Sequence, residues 1–129
     1  MKEGAPMILV VDDERDNREA YAEYLRHHGY RTAEAATGRE ALLKAGRSTP
    51  DLVLLDMRLP DMEGTEVTRR LRASASPPLA IIALSACVFE QDVAAALESG
   101  CDAFLAKPCL PDEVLAEIRR LLGNQGSRT

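Results

Sequence analysis

Residues 7–13 read MILVVDD: five apolar residues, then two aspartates with nothing between them. The run is too short for a helix and shows no alternation, so Met7–Val11 reads as a strand buried on both faces. The pattern recurs along the chain. Further strands are expected at Tyr30–Glu34, Asp51–Leu55, Leu79–Leu84 and Ala103–Ala106. Between and after them the hydrophobic period changes to that of helices. Glu14–His28 places Ala20, Tyr21, Tyr24 and Leu25 on one face, with Gly29 as a stop. A second helix opens at Thr37, where T-x-x-E with Glu40 is a capping-box pattern ahead of Ala41, Leu42 and Ala45. Glu63–Arg72 turns Val67 and Leu71 inward, Ser74–Pro78 reads as a loop, and Phe89–Ser99 turns Val93, Ala94 and Leu97 inward before Gly100. Pro111–Leu122 carries Val114, Leu115, Ile118, Leu121 and Leu122 at helical spacing. Strict alternation of buried strands and helices predicts an α/β fold: a doubly wound, five-stranded parallel sheet flanked by five helices.

The chain has 129 residues, which at about 150 residues per domain predicts one domain. Its expected divisions are an N-terminal extension at 1–6, the domain at 7–122 and a polar tail at 123–129. Hydrophobic residues make up 46% and charged residues 29%, which excludes disordered and collagen-like classes. No apolar run approaches the roughly 18 residues of a membrane span, so no membrane partner is expected. The apolar stretch ending at Asp12 and Asp13 is too short for a signal-peptide core. The cysteines, Cys87, Cys101 and Cys109, are odd in number and lack a CxxC pair, which argues against a disulfide framework or zinc site. A cytoplasmic location with reduced thiols is the expectation. The net charge of −5 argues against direct contact with nucleic acid.

In a sheet of this kind the site lies beyond the carboxyl ends of the strands. Asp12, Asp13 and Glu14 follow the first strand, Asp56 the third, Ser85 the fourth, and Lys107 and Pro108 the fifth. Three carboxylates brought together at about 4 Å repel by roughly 1–4 kcal/mol per pair. They must take up protons or hold a cation, and hard oxygen donors favour Mg²⁺, Mn²⁺ or Ca²⁺. With Mg²⁺, Lys107 and Ser85 could neutralise a transferring phosphoryl group, and a carboxylate could serve as its nucleophile. Taken singly, Asp12 and Asp13 also suit helix capping, and Asp56 suits a turn ahead of Pro60.

ILVVDDERDNR (Ile8–Arg18), DLVLLDMRLPDMEG (Asp51–Gly64), LAIIALSA (Leu79–Ala86) and GCDAFLAKP (Gly100–Pro108) together resemble the receiver domain of bacterial-type response regulators, over roughly Met7–Leu122. The resemblance implies a flavodoxin-like (βα)5 receiver fold working in a two-component or phosphorelay system. It implies that Asp56 accepts a phosphoryl group from a phosphohistidine on a sensor histidine kinase or histidine phosphotransfer protein. Asp13, Asp56 and the backbone carbonyl of Arg58 would ligate Mg²⁺, with Asp12 acting mostly through water. Lys107 would contact the phosphoryl group and Asp56. Ser85 would move toward the phosphoryl group, and Phe104 would follow as the switch aromatic. The Lys107–Pro108 bond would be cis, and the readout would be a protein-binding surface of the fourth helix, fifth strand and fifth helix. The domain would be a signalling switch that catalyses only its own phosphorylation and dephosphorylation, and the histidine-bearing partner would dock on the first helix.

Some residues depart from the family's commonest pattern. Phe104 lacks a tyrosine's hydroxyl, and only Asp102 stands in the pair that often precedes it, which weakens an inference of the winged-helix regulators' dimer. Arg58 and Cys87 stand two residues beyond Asp56 and Ser85, where the family tunes dephosphorylation, so an unusual phosphoryl lifetime is expected. A flavin binder would need a Ser/Thr/Gly-rich phosphate loop after the first strand. A haloacid-dehalogenase-type phosphohydrolase would need an acid where Arg58 stands. The remaining alternative is a degenerate receiver that binds proteins without phosphorylation.

Overall fold

In the computed structural model, residues 4–74 and 79–123 are described. Ser74, the first residue of the loop expected at Ser74–Pro78, instead ends the third helix, while residues 75–78 of that loop, residues 1–3 of the extension and residues 124–129 of the tail lie outside the described residues. Five strands alternate with five helices: β1 (Met7–Val11), α1 (Arg15–His27), β2 (Arg31–Ala35), α2 (Gly38–Ser48), β3 (Leu52–Asp56), α3 (Gly64–Ser74), β4 (Ala80–Ser85), α4 (Glu90–Ser99), β5 (Ala103–Ala106) and α5 (Pro111–Leu122). All strand pairs are parallel, in the order β2-β1-β3-β4-β5. The chain leaves β1 to one side for β2 and returns to the other for β3, so the switch point of the sheet lies between β1 and β3.

The pleat divides the strand residues between two cores. Ile8, Val10, Leu52, Leu54, Ile82 and Leu84 face Ala22 and Leu25 of α1 and Val114 and Ile118 of α5. Leu9, Val11, Val53, Leu55, Ile81 and Ala83 face Ala41 of α2, Val67 and Leu71 of α3 and Ala96 of α4. Burial on both faces is why these strands read as unbroken apolar runs.

β1, β5 and α5 have the expected bounds, whereas β2, β3 and β4 lie one residue further on. Asp56 and Ser85 are therefore the last strand residues, and the ladder continues past them as the Met57 N–H donates to the Leu84 carbonyl at 2.9 Å. Thr37 caps α2 by accepting from the Glu40 N–H at 3.0 Å. The Glu40 carboxylate returns one residue beyond the usual box, accepting from Ala36 N–H at 2.7 Å.

Two helix faces depart from expectation. In α1, Ala20 is exposed and Ala22 is buried. In α4, Ala96 is buried, Val93 is half-buried, Ala94 is exposed and Leu97 is 46% exposed. The consecutive alanines 94–96 lack the contrast that would fix the helix's rotation, so the small residue turns inward and the larger one outward.

Candidate functional site

Register brings the strand ends together. Val11 pairs with Leu55, Asp56 with Leu84 and Ser85 with Ala106. The next residue of β1 is Asp12, beside Asp56, and the next residue of β5 is Lys107, one step beyond Ser85. Asp12, Asp56 and Ser85 are buried, at 2%, 6% and 3% exposure, while Asp13 is exposed. Carboxylate oxygens of Asp12, Asp13 and Asp56 lie within 4.8 Å of one another. Lys107 Nζ is 3.3 Å from Asp12 Oδ2 and 3.3 Å from Asp56 Oδ2.

Neither aspartate of the first loop caps α1. Asp12 Oδ1 accepts from the Glu14 N–H at 2.9 Å, and Glu14 is the N-cap, without a side-chain cap bond. Asp56 Oδ1 likewise accepts from the Arg58 N–H at 3.1 Å. In each carboxylate one oxygen shapes its own turn and the other faces Lys107. The turn reading and the site reading of Asp56 thus hold together.

Three carboxylates and one ammonium leave two negative charges when all are ionised. Burial pushes the Asp56 carboxyl above the usual carboxylate range, against the pull of the Arg58 N–H and Lys107, with Asp12 pushing the same way as burial. Burial works against the charge on Lys107, but Asp56 and Asp12 together hold its pKa above the ordinary value. One ammonium shared between two carboxylates does not satisfy both. Oxygen-only donors with a double negative excess suit a hard divalent cation such as Mg²⁺.

Ser85 Oγ accepts from the Cys87 N–H at 3.0 Å, and its carbonyl accepts from the Lys107 N–H at 2.9 Å. The Lys107–Pro108 peptide is cis. Arg58, Ser85, Cys87 and half-buried Phe104 line one cleft of about 500 Å³, with Asp92 of α4 on its wall. All three thiols are free.

Two supporting residues escape sequence reasoning. Arg18 donates to the Asp12 carbonyl at 3.0 Å and to Glu34 Oε1 at 3.1 Å, holding the first loop to β2. Asp61 accepts from the N–H groups of Gly38 and Arg39 at 2.8 and 2.9 Å, pinning the loop after Asp56 to the start of α2. Both act across the sheet edge, so spacing along the chain carries no signal for either.

The family model described as the response regulator receiver domain matches residues 8–119. The chain belongs to this family. Its receiver is 43% identical over 115 residues to the DNA-binding response regulator MtrA of Mycolicibacterium paratuberculosis, a match covering 89% of this chain and 50% of that protein. The chain therefore spans about half the length of this curated relative. A CheY-like receiver domain protein from Methanospirillum hungatei superposes with a TM-score of 0.87 at 31% identity, over 95% of this chain and 97% of that one. The receiver domain of a sensor histidine kinase from Pseudomonas aeruginosa, solved with magnesium in its active-site cleft, gives 0.83 at 34% identity, over 93% and 99%.

The relationship to MtrA corrects one expectation. Net charge argued against nucleic acid as a partner, yet MtrA is a DNA-binding response regulator. A receiver's charge speaks only for its own surface, and half of that relative lies outside the match. Among the described residues, no helix is long and apolar enough to cross a membrane.

Proposed function

We propose that this receiver is a phosphoacceptor switch in which Asp56 takes a phosphoryl group from a phosphohistidine on a histidine kinase or histidine phosphotransfer protein. The observation that carries this reading is the Lys107 ammonium held 3.3 Å from both Asp12 and Asp56 over a three-carboxylate cluster. An Asp56 oxygen forms the new bond to phosphorus, the phosphorus–nitrogen bond to the donor imidazole breaks, and the imidazole leaves with a proton from solvent. Asp12, Asp13, Asp56 and the Arg58 carbonyl are the groups that would hold Mg²⁺. The ion would supply positive charge for the equatorial phosphoryl oxygens.

Lys107 stands where it can leave Asp56 for a phosphoryl oxygen as the carboxylate becomes an acyl phosphate. Ser85 would exchange the Cys87 N–H for a phosphoryl oxygen, and Phe104, across the same cleft, would respond. Only contacts that differ between the two states can shift the equilibrium, and Ser85 and Lys107 supply them. The outward-facing Val88, Phe89 and Leu97 around α4 supply an apolar surface for the readout. The likeness to MtrA supports a DNA-directed output, and residues 7–122 form the switching unit.

The test is beryllium fluoride with Mg²⁺, monitored by amide NMR. Shifts at Ser85, Phe104 and Lys107 in the wild type, absent in Asp56→Asn, support the reading. Identical spectra with and without the mimic contradict it and leave a protein-binding receiver without a phosphoswitch.

A further inference from the structure

The far side of the molecule from α1 and α5 carries a groove of about 650 Å³ between α2 and α3, lined by Arg39, Leu42, Leu43, Asp61, Met62 and Arg70. Its charge is opposite to that of the chain. The protein as a whole carries −5, but the α2 ridge and the groove lining bring Arg39, Lys44, Arg47 and Arg70 against Glu40, Asp61 and Glu66, while Arg69 and Arg72 of α3 turn to the α4 side, Arg69 lining a pocket with Glu98 and Arg72 pairing with Asp102. Both glutamates are neutralised within their own helices, Glu40 by Lys44 at 3.4 Å and Glu66 by Arg70 at 2.8 Å. The Asp61 carboxylate is occupied by the N–H groups at the start of α2. Arg39 and Arg47 are exposed and make no ion pair among the described residues.

The apolar part of the surface is arranged within this charge. Arg39, Leu43 and Arg47 follow one another at i, i+4 and i+8, so they form one ridge of α2. Leu43, at its centre, is 55% exposed, with a guanidinium one turn to either side. Leu42 and Met62 lie beside it, and Arg70 stands on the α3 side.

We propose that this groove docks an acidic amphipathic helix of a partner protein. The α2 ridge is 11 residues long, about 16 Å at 1.5 Å per residue, which matches a three-turn helix. Apolar anchors spaced i, i+3 or i+4, and i+7 on that helix cover Leu42, Leu43 and Met62. Carboxylates flanking its stripe meet Arg39 and Arg47, whose guanidinium groups carry no ion pair among the described residues. An aliphatic floor offers nothing for bases to stack on, which favours a peptide over single-stranded nucleic acid. The proposal is independent of phosphoryl acceptance, because none of these side chains belongs to the Asp56 cluster.

The probe is a synthetic peptide of about 15 residues, with leucines at i, i+3 and i+7 and glutamates on both flanks, compared with its lysine-for-glutamate counterpart. The expected result is sub-millimolar binding of the acidic peptide only, with amide shifts confined to α2 and α3. Leu43→Glu and the double change Arg39→Glu with Arg47→Glu each weaken it by about tenfold or more, the size of a lost interface anchor. All three positions are exposed, so the variants keep the fold, and the far-ultraviolet spectrum checks this. Absence of binding at millimolar peptide, equal binding of the lysine peptide, or shifts centred on α4 would overturn the proposal. So would binding of anionic vesicles or duplex DNA at this face in place of the peptide.

Discussion

The Arg58 guanidinium Nη2 lies 2.9 Å from Cys87 Sγ, joining the loop after β3 to the loop after β4. The two residues stand at matching offsets beyond Asp56 and Ser85 and meet at the cleft that Ser85 also lines. The Arg58 N–H meanwhile serves Asp56 Oδ1. The side chain thus arches over the edge of that cleft, where it would obstruct water approaching an acyl phosphate on Asp56. This gives a direction to the unusual lifetime that the sequence predicts. Arg58→Ala is expected to speed loss of the phosphoryl group about fivefold, equivalent to ~1 kcal/mol of barrier. Cys87→Ala should act in the same sense by releasing the arch, and the double variant should fall short of additivity. Decay of phosphorylated protein followed by mass checks this; a longer lifetime in Arg58→Ala contradicts the arch.

Divalent metal should stabilise the fold through the same carboxylates. At a Mg²⁺ concentration ten times the Kd, the unfolding free energy should rise by about 1.4 kcal/mol over chelator-treated protein. Asp13→Ala should abolish most of that gain while leaving the metal-free stability close to wild type, because Asp13 is exposed. Thermal unfolding in Mg²⁺ against chelator measures both.

Burial raises the Asp56 pKa above the ordinary carboxylate value, so the folded chain binds this proton more tightly than the unfolded chain. The stabilisation is complete below the unfolded pKa and is lost as pH rises through the raised folded value. Metal-free Asp56→Asn should therefore match wild type below about pH 4 and exceed it at neutrality, with each ~1 kcal/mol worth about 4 °C in Tm. Excess Mg²⁺ should reverse the order at neutrality, since the wild type alone keeps the full ligand set.

A Cβ added at Gly64 would come within 2.6 Å of Met57 Cα, a backbone atom that cannot step aside. Met57 follows Asp56 directly, and the Gly64 N–H donates to the Met57 carbonyl at 2.9 Å. Gly64→Ala should cost about 1–3 kcal/mol through overpacking and also weaken Mg²⁺ binding by moving the Asp56 loop. Denaturant unfolding and Mg²⁺ titration together test this; lost stability with unchanged Mg²⁺ affinity would confine the effect to packing.

The strands and their order along the chain were legible because each is buried on both faces and ends in a chemically distinctive residue. Asp12, Asp56, Ser85 and Lys107 could be expected to converge because parallel strands put their carboxyl ends at one edge. The rotation of α4 was not legible, since alanines 94–96 give no apolar contrast. Nor were Arg18 on the Asp12 carbonyl, Asp61 on the start of α2, or the Arg58–Cys87 contact, which join residues 6, 22 to 23 and 29 positions apart. Such contacts depend on how loops fold back over the sheet edge, and no periodicity encodes that. The nucleic-acid expectation failed because composition describes only the surface it is taken from.

The most direct test of the phosphoacceptor account is the intact mass of the protein after incubation with acetyl phosphate and Mg²⁺, alongside Asp56→Asn and a chelator control. The account predicts one phosphoryl increment in the wild type, absent from the variant and from the chelated sample. An increment that persists in Asp56→Asn, or no increment together with no response to beryllium fluoride, would contradict it.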